Sequence, residues 1–526
     1  MEITVGLAAI LALLAAFAYF ARRFFGAPFI ERPIILGPIT GLIMGDLQTG
    51  LVLGGTLELV FMGATAIGGS VPPNLPVGTI LGVAFAVSAD LTIEEALVIA
   101  VPAALLGSLG ELFAKTISTI FANAADRYAE DGNTKGISLM AHLGNLAHAL
   151  SVGIPTFVGL LIGGASVEKI IAALPAWLRA GLNTTGSLLP ALGFGLLLAT
   201  LATPQLLPWF FIGFSIAAYS AWGVLGVSFV GIMAALIFIY QKGGFSLSPS
   251  ESAERTESVV EFSHAEKSQF FWRSFGLQSA FSFDRMQAVG FTWTLIPFLK
   301  KLYADNKDEL AAALKRHLTF LNTNPWVVGP IVALTATLEK KRAADLEEVD
   351  PKVIQGVKAS LMGPLAGIGD SMIQGTLIPV VGGVAASLAI DGNAIAPLLF
   401  FFVVNIVHVY VRWITLDSTF KLGSGFLEQL SHSGFQRLLE GAGIAGLMGV
   451  GGLVGTWLNI KTPVVYTIGE KTIELQAMFD KIMPKLLPLI GTLLVYWAIK
   501  KGLKNTQIVV IIFVLGIVLG ALKILG

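Results

Sequence analysis

The amino-acid sequence predicts an all-α polytopic membrane protein made of two similar halves of inverted orientation. Apolar residues make up 55% of the 526 positions, and charged residues make up 13%, about half of their usual share. The 59 glycines suit membrane helices, because small residues let backbones approach closely and permit broken or re-entrant segments. One long polar stretch, residues 241–269, divides the apolar sequence into two regions.

Charge and cysteine content exclude several classes of function. The 34 basic and 34 acidic residues cancel, so no net charge favours nucleic acid or an anionic partner. The absence of cysteine excludes disulfides and thiolate metal sites within this chain. The mean hydropathy of +0.78 excludes a freestanding soluble enzyme. We expect no cofactor, no metal and no nucleic acid.

The first half opens with an apolar helix over 3–20, which is followed by Arg22 and Arg23. Because the basic pair comes after the apolar run, we expect a retained helix with its N-terminus outside the cell. The next segments are too short for an upright span of about 20 residues, and we interpret them as broken or re-entrant pieces. They cover 33–44, 51–69 and 78–88.

The rest of the first half reads as longer hydrophobic segments separated by one polar stretch. Residues 121–134 are polar enough to lie at the membrane interface. The hydrophobic segments cover 96–112, 137–162, 188–201, 208–220 and 223–240.

The stretch 241–269 is interpreted as a flexible, water-exposed linker. It reads QKGGFSLSPSESAERTESVVEFSHAEKSQ, in which Gly, Ser and Pro disfavour regular structure and the charges disfavour the bilayer. The predicted domains are therefore 1–240 and 270–526, joined by a cytoplasmic linker.

The second half begins with amphipathic helices, over 270–299 and 310–321, of a kind that lies along an interface. Residues 339–358 are predicted to form a charged surface segment, and the alternating VVYTIGEKTIEL at 464–475 predicts a small β-hairpin outside the lipid. The predicted hydrophobic segments cover 326–338, 361–390, 397–411, 442–458, 486–499 and 508–525.

The distribution of basic residues predicts the orientation of both halves. Lys500, Lys501 and Lys504 favour a cytoplasmic loop between the last two helices, which places the C-terminus outside. With both termini outside and the linker inside, the halves run in opposite overall directions, as an inverted repeat requires.

Two isolated acidic residues are candidate substrate-binding residues. Glu58 is the only charged residue between Asp46 and Asp90, and Asp370 is the only one between Lys358 and Asp391. A charge at membrane depth costs roughly 2.5–3.5 kcal/mol on insertion scales, so it normally faces a partner or an aqueous cavity. The alternative for Glu58 is that it caps a broken helix or lies at the membrane interface, and the alternative for Asp370 is that it binds the backbone amides of its own Gly-rich turn.

His317 stands out among the six histidines, which show no metal-ligand spacing. It lies in KRHLTFLNTNPW, where Asn322 and Asn324 add amide donors and acceptors. This mixture suits recognition of hydroxyl groups or a docking surface. An interfacial helix that happens to carry a histidine is the alternative.

Long motifs in both halves resemble one family. FIERPIILGPITGLIMGDLQTGLVLGGTLELVFMG and FANAADRYAEDGN resemble the enzyme IIC subunit of the mannose/fructose/sorbose class of the bacterial phosphotransferase system. SAFSFDRMQAVGFTWTLIPFLKKLY, RHLTFLNTNPWVVGPIVALTATLE and GVKASLMGPLAGIGDSMIQGT resemble its enzyme IID partner. The resemblance covers about 1–240 and 270–526. One polypeptide that carries both departs from the usual two-gene arrangement.

The resemblance implies a mechanism and partners. IIC and IID would form one transport unit in the bacterial inner membrane, associated as a homotrimer, in which a mobile core carries a hexose past a scaffold. A phosphohistidine on a IIB domain would phosphorylate the sugar, after being charged through IIA, HPr and enzyme I. The membrane chain would contribute orientation and no nucleophile. Glu58 would accept hydrogen bonds from sugar hydroxyl groups. Asn74, Asn322 and Asn324 would be the uncharged hydrogen-bond partners of the sugar.

The sugar is not decided by the resemblance, and a mannose or glucose type of hexose is favoured. An uncoupled or proton-coupled secondary sugar transporter is the main alternative, because Glu58 or Asp370 would also suit a proton carrier. A structural scaffold is the weaker alternative, since it has no need for isolated acids inside Gly-rich membrane segments.

Overall fold

The computed structural model describes residues 2–63, 72–164, 173–220, 222–242, 260–423, 433–468 and 471–526. Within these residues seven helices are long and apolar enough to cross a membrane, and a pair bent by 77° supplies an eighth if it is counted as one span. The chain is therefore a polytopic all-α membrane protein, as predicted.

The helices of the first half are α1 Val5–Phe24, α2 Pro33–Met44, α3 Leu47–Phe61, α4 Leu75–Ala89, α5 Ile93–Glu130, α6 Thr134–Gly164, α7 Ala176–Leu201, α8 Leu207–Tyr219 and α9 Val224–Gln241.

The helices of the second half are α10 His264–Ser274, α11 Ala288–Leu302, α12 Lys307–His317, α13 Gly329–Ala344, α14 Pro351–Gly369, α15 Ile378–Ile390, α16 Ala396–Leu422, α17 Ser433–Trp457, α18 Leu475–Ile482, α19 Leu486–Lys500 and α20 Asn505–Ala521.

Short helices occupy the predicted broken segments of the first half, although residues 64–69 of the segment 51–69 lie outside the described residues. Helices α2, α3 and α4 have 12, 15 and 15 residues, fewer than the ~20 that an upright span needs. The backbones of α2 and α3 touch, because a Cβ atom on Gly37 would lie 2.5 Å from Gly54 Cα. In the second half, a π-helical stretch at Asp370–Leu377 interrupts the long helical run between α14 and α15.

Helix α5 joins two segments that the sequence separated. It continues for 38 residues and includes most of the predicted interfacial stretch 121–134. A capping box fixes its start, since Glu95 N donates to Thr92 Oγ1 (3.2 Å) and Thr92 N donates to Glu95 Oε2 (3.1 Å).

The predicted charged surface segment 339–358 is only partly at the surface. Residues 344–348 are exposed, but Glu339 and Lys358 are buried. Glu339 is held by the guanidinium of Arg316, and Lys358 Nζ donates to the carbonyl oxygens of His317 and Thr319. The predicted surface position is therefore wrong for Glu339 and Lys358, the two ends of the segment. Polar groups that are far away in the sequence but in direct contact compensate these two charges.

The two halves interlock through their last helices. Helix α7 of the first half packs against α19 and α20, while α17 of the second half packs against α8 and α9. The contacts bring backbones together: a Cβ atom on Gly213 would lie 2.1 Å from Met448 O, and one on Gly181 would lie 2.7 Å from Ile517 Cα. Each half thus packs a terminal helix pair against a long helix of the other. The inverted orientation of the halves stays a prediction.

The C-terminus lies at the end of the bundle where α5 begins. Thr184 Oγ1 lies 3.3 Å from Leu525 O, close to the last residue. One turn earlier on the same helix, Arg179 pairs with Glu95 in the first turn of α5 (3.9 Å).

The N-terminus lies at this same end. Helix α1 runs antiparallel to α6, because Tyr19 approaches His148 while Gly153 approaches Ala12. The far end of α6 then reaches the end of α4, where a Cβ atom on Gly163 would contact the Phe85 ring. Helix α5 starts a few residues after α4, so both termini share one end.

Helix α9, which precedes the linker, ends at the opposite end of the bundle. Thr462, which follows α17, donates to Ile524 O over 2.6 Å, so α17 ends beside the C-terminus. Lys242, at the end of α9, pairs with Glu440 near the start of α17 over 3.1 Å. We call the end of the bundle that carries Lys242 and Glu440 the linker end.

The predicted β-hairpin and linker are described in part. Val465–Ile468 pairs antiparallel with Lys471–Glu474, which confirms the hairpin, although its turn at 469–470 lies outside the described residues. Helix α10 starts inside the predicted linker, at His264, where a capping box between Ser263 and Glu266 fixes its first turn. Residues 243–259 of that linker also lie outside the described part.

Candidate functional site

Asn324 and Asp370 form a polar pair beside the π-helical break. Asn324 Nδ2 donates to Asp370 Oδ1 over 2.9 Å, and Asn324 Oδ1 accepts the Trp326 amide over 3.0 Å. The approach requires glycine at 369, because a Cβ atom there would lie 2.3 Å from Asn324 Cβ. Asn324 is buried and Asp370 is half-buried. The second oxygen of the Asp370 carboxylate has no hydrogen-bond partner among the described residues, so it can accept a hydrogen bond from a hydroxyl group.

A stacked aromatic and cationic column continues from this pair. The Trp326 ring stacks on the His408 imidazole, with centroids 4.4 Å apart and an interplanar angle of 15°. Arg412 Nε donates to His408 Nε2 (3.1 Å), and Arg412 Nη1 donates to Ser274 O (2.7 Å). Phe29 of the first half packs edge-on against Trp326 at 5.8 Å. The column therefore links the Asn324–Asp370 pair to the other half.

Glu58 forms a fully buried ion pair with Arg32. Arg32 Nε donates to Glu58 Oε1 over 2.9 Å, and Ile34 N donates to Glu58 Oε2 over 3.3 Å. Arg32 precedes α2, so the carboxylate also accepts a hydrogen bond at the N-terminus of a short helix. Across the interface, Glu58 Oε1 lies close enough to Gly382 of α15 that an added Cβ would sit 3.1 Å away.

His317 lies in a second buried charge cluster, with Glu339. His317 Nε2 is 2.7 Å from Glu339 Oε1, and Arg316 Nε donates to the same oxygen over 2.6 Å. Tyr303 donates to Glu339 Oε2 over 2.6 Å. Burial lowers the pKa of His317. Burial raises the pKa of Glu339, but hydrogen bonds from Arg316 and His317 outweigh it and hold that pKa well below its usual range.

Asn74 and Asn322 occupy separate positions. Asn74 is buried as the N-cap of α4, where its Oδ1 accepts the Val77 amide over 3.2 Å. Its Nδ2 has no hydrogen-bond partner among the described residues. Asn322 is half-buried in the loop that leads from Leu321 to Asn324.

The structure therefore brings together only two of the six residues singled out in the sequence, Asn324 and Asp370. Glu58, Asn74 and His317 each belong to a different local arrangement, and Asn322 is a near neighbour of Asn324 along the chain. A sugar site that includes all six stays a prediction.

Sequence reasoning missed a charge cluster at the contact between the halves. Glu111 Oε1 accepts from Arg23 Nη2 (2.9 Å) and lies 3.3 Å from Lys115 Nζ, and Tyr19 donates to Glu111 Oε2. The Arg23 guanidinium lies over the Phe281 ring of the second half, 4.8 Å from its centroid. The sequence does contain one signal for this cluster. Glu111 and Lys115 are four residues apart in an apolar helix, a spacing that predicts an ion pair.

The fold and these buried polar groups define a polytopic membrane protein in which Glu58, Glu111 and Glu339 are each paired with an arginine inside the helix bundle. Comparison with known proteins assigns its family. The model of the PTS system sorbose-specific IIC component matches residues 6–237. The model of the PTS system mannose/fructose/sorbose family IID component matches residues 261–525.

Individual relatives match one half each. The fructose permease IID component of Bacillus subtilis strain 168 is 40% identical over 253 residues, 47% of this chain and 91% of that protein. The mannose-specific EIID component of Escherichia coli strain K12 is 37% identical over 262 residues, 49% of this chain and 92% of that protein. The fructose permease IIC component of Bacillus subtilis is 33% identical over 208 residues, 40% of this chain and 77% of that protein.

The chain belongs to the mannose/fructose/sorbose family of phosphotransferase-system permeases, with a IIC component in its first half and a IID component in its second. The resemblance noted in the sequence is confirmed for both halves.

Proposed function

We propose that this chain translocates a hexose of the mannose or glucose type across the bacterial inner membrane while a IIB phosphohistidine phosphorylates it. The observation that carries the proposal is the presence of both membrane components, IIC and IID, in one chain. Relatives named for fructose and for mannose show that the sugar varies between members. The choice of hexose therefore depends on the polarity of the sugar pocket, which a few substitutions among its lining residues can alter.

In this proposal Asn324 and Asp370 bind sugar hydroxyls. A carboxylate accepts hydroxyl hydrogen bonds strongly, and an amide offers both a donor and an acceptor. Their position beside a π-helical stretch supports this role, because such stretches often mark functional sites. Asn322 would add a neutral partner from the same loop.

Glu58, Asn74 and His317 complete the proposed sugar site, each from a separate local arrangement. Glu58 lies where α3 meets α15 of the other half, so its pair with Arg32 would hold the two halves in register near the sugar path. Asn74 would offer its Nδ2, which has no hydrogen-bond partner in the described part of the chain. His317 would orient the loop that carries Asn322 and Asn324.

The linker end is proposed to face the cytoplasm, with both termini outside. Arg22 and Arg23 at the end of α1 support this orientation, because basic residues concentrate on the cytoplasmic side. The IIB domain, charged through IIA, HPr and enzyme I, would then approach the linker end. We further propose that the halves are inverted and that three copies form the transport unit.

Uptake by membrane vesicles that contain this chain tests the proposal. Labelled hexoses are supplied with and without IIA, IIB, HPr, enzyme I and phosphoenolpyruvate, and the product is analysed for phosphate. We expect accumulation of sugar phosphate only with the complete partner set. Uptake of free sugar that needs no partner and collapses with the proton gradient would instead establish a secondary transporter. Unchanged uptake in both Glu58→Gln and Asn322→Ala would remove those residues from the sugar site.

A further inference from the structure

An aromatic cluster spans both halves at the linker end. The rings of Phe24 and His142 in the first half lie 5.7 and 5.9 Å from the Trp293 ring in the second half. Trp272 stacks on Phe275 and remains 63% exposed. Tryptophan rings of this kind mark the level of the lipid headgroups in membrane proteins.

Arg273 lies in this cluster without an acidic partner. Its guanidinium sits 3.7 Å from the centroid of the Trp293 ring, and its Nε donates to Trp293 O over 3.0 Å. No described carboxylate forms an ion pair with it, and burial alone lowers the pKa of Arg273 to about 10. By contrast, Lys267 reaches Asp417 and Lys301 reaches Glu266, each within 3.0 Å.

The guanidinium of Arg273 retains donors for a ligand. Arginine has five N–H donors in a planar fork, and two of its nitrogens, Nε and Nη2, point to a single oxygen of Trp293. The Nη1 hydrogens have no described acceptor. A planar fork with a free edge matches a phosphate group, which accepts two parallel hydrogen bonds.

We propose that Arg273 and Trp272 bind the headgroup of an anionic phospholipid in the leaflet at the linker end. The phosphate would accept hydrogen bonds from the Arg273 guanidinium, while the exposed Trp272 ring would pack against the glycerol region. A lipid is the occupant that fits, because the cation lies among aromatic rings at headgroup level and no carboxylate of the described residues pairs with it. The inference is independent of the sugar and of the coupling to IIB.

Lipid retention by the purified full-length chain tests the site. The protein in detergent is titrated with phosphatidylglycerol or phosphatidylcholine, and bound lipid is counted by native mass spectrometry. Arg273→Gln removes the charge, and Arg273→Lys keeps it without the fork. Lys301→Gln is the matched control, because it removes one charge from the same end at a side chain that is 76% exposed.

We expect the native chain and K301Q to retain phosphatidylglycerol over phosphatidylcholine. R273Q is expected to bind it about fivefold more weakly, the factor that corresponds to ~1 kcal/mol per basic residue near an anionic surface. We expect the affinity of R273K for phosphatidylglycerol to lie between those of the native chain and R273Q.

Three results would overturn the proposal. The first is equal retention of both lipids by the native chain, and the second is equal loss in R273Q and K301Q. The third is displacement of phosphatidylglycerol by millimolar inorganic phosphate, which would indicate a free-phosphate site. If R273Q does not fold, Trp272→Ala replaces it: we expect about twofold weaker retention of phosphatidylglycerol by the Ala variant, and unchanged retention would count against the site.

Discussion

Asn324 donates its side-chain amide to the carboxylate of Asp370 over 2.9 Å, although the two residues are 46 positions apart. One lies at the end of a loop, and the other begins the π-helical break that follows α14. Their contact joins two polar side chains from separate segments of the second half.

The Asn324–Asp370 pair is expected to control sugar uptake. Asp370→Asn removes the charge that strengthens hydrogen bonds to hydroxyl groups, a difference of roughly 1.5–3 kcal/mol. We expect uptake of labelled sugar, with all partners present, to fall about tenfold or more. Asp391→Asn is the matched control, because Asp391 is exposed in the turn after α15. Equal uptake by the two variants would exclude Asp370 from the sugar path.

The Arg32–Glu58 pair is expected to contribute mainly to stability. Removing one partner leaves an uncompensated buried charge, which costs roughly 3–5 kcal/mol. We expect Arg32→Met and Glu58→Gln each to lower the thermal midpoint in detergent, and the double variant to lose less than the sum of the two. Strictly additive losses in this double-mutant cycle would show that the two side chains do not stabilise each other.

The stability of the His317–Glu339 cluster is expected to depend on pH. Folding lowers the pKa of His317, so the unfolded chain binds the extra proton and stability falls as pH drops below about 6.5. The pKa of Glu339 is also lowered, and its contribution is lost as pH falls below about 4.5. Arg316 and Lys358 face the imidazole and oppose its protonation.

Thermal midpoints measured from pH 8 to pH 5 test this dependence. We expect the native chain to lose stability over that range and His317→Asn to lose less, because the variant lacks the imidazole that is protonated on this acidification. The variant His264→Asn is the control, since His264 is exposed at the start of α10. The same pH slope in the native chain and H317N would contradict the prediction.

The contact between the halves is expected to depend on the Gly144 position. A Cβ atom there would lie 2.4 Å from both Cα and Cβ of Ala280, whose φ is already +50°. His148 Nε2 lies 2.9 Å from Phe281 O, in the same segment as Ala280. Gly144→Ala would therefore push this segment away from His148, at a cost of roughly 1–3 kcal/mol. With the two halves expressed as separate chains, we expect G144A to reduce their co-purification.

Gly6→Ala is the control for this experiment, because nothing lies within 4 Å of a Cβ atom at that position. Recovery of both halves from G6A is expected to match the native pair. If G144A also matches it, the Ala280 segment does not hold the halves together.

Much of the candidate site could not be predicted, since its contacts join residues far apart in the chain. The isolated positions of Glu58 and Asp370 in apolar segments identified them as buried acids, and the alternative that Glu58 caps a broken helix matches its bond to the Ile34 amide. The identities of their partners, Arg32 and Asn324, had no local signal. The charged neighbours of Glu339 along the chain predict a surface position, whereas its environment is set by Arg316 and His317.

Composition and hydropathy determined the membrane class, the broken helices and the hairpin at 464–475, because each depends on residues that are neighbours along the chain. Long motifs determined the family. Only the tertiary structure decided which charges meet and how the terminal helices of each half pack against the other. The physical reason is that a buried charge must be compensated by groups within a few ångströms in space, and sequence position alone does not state which groups those are.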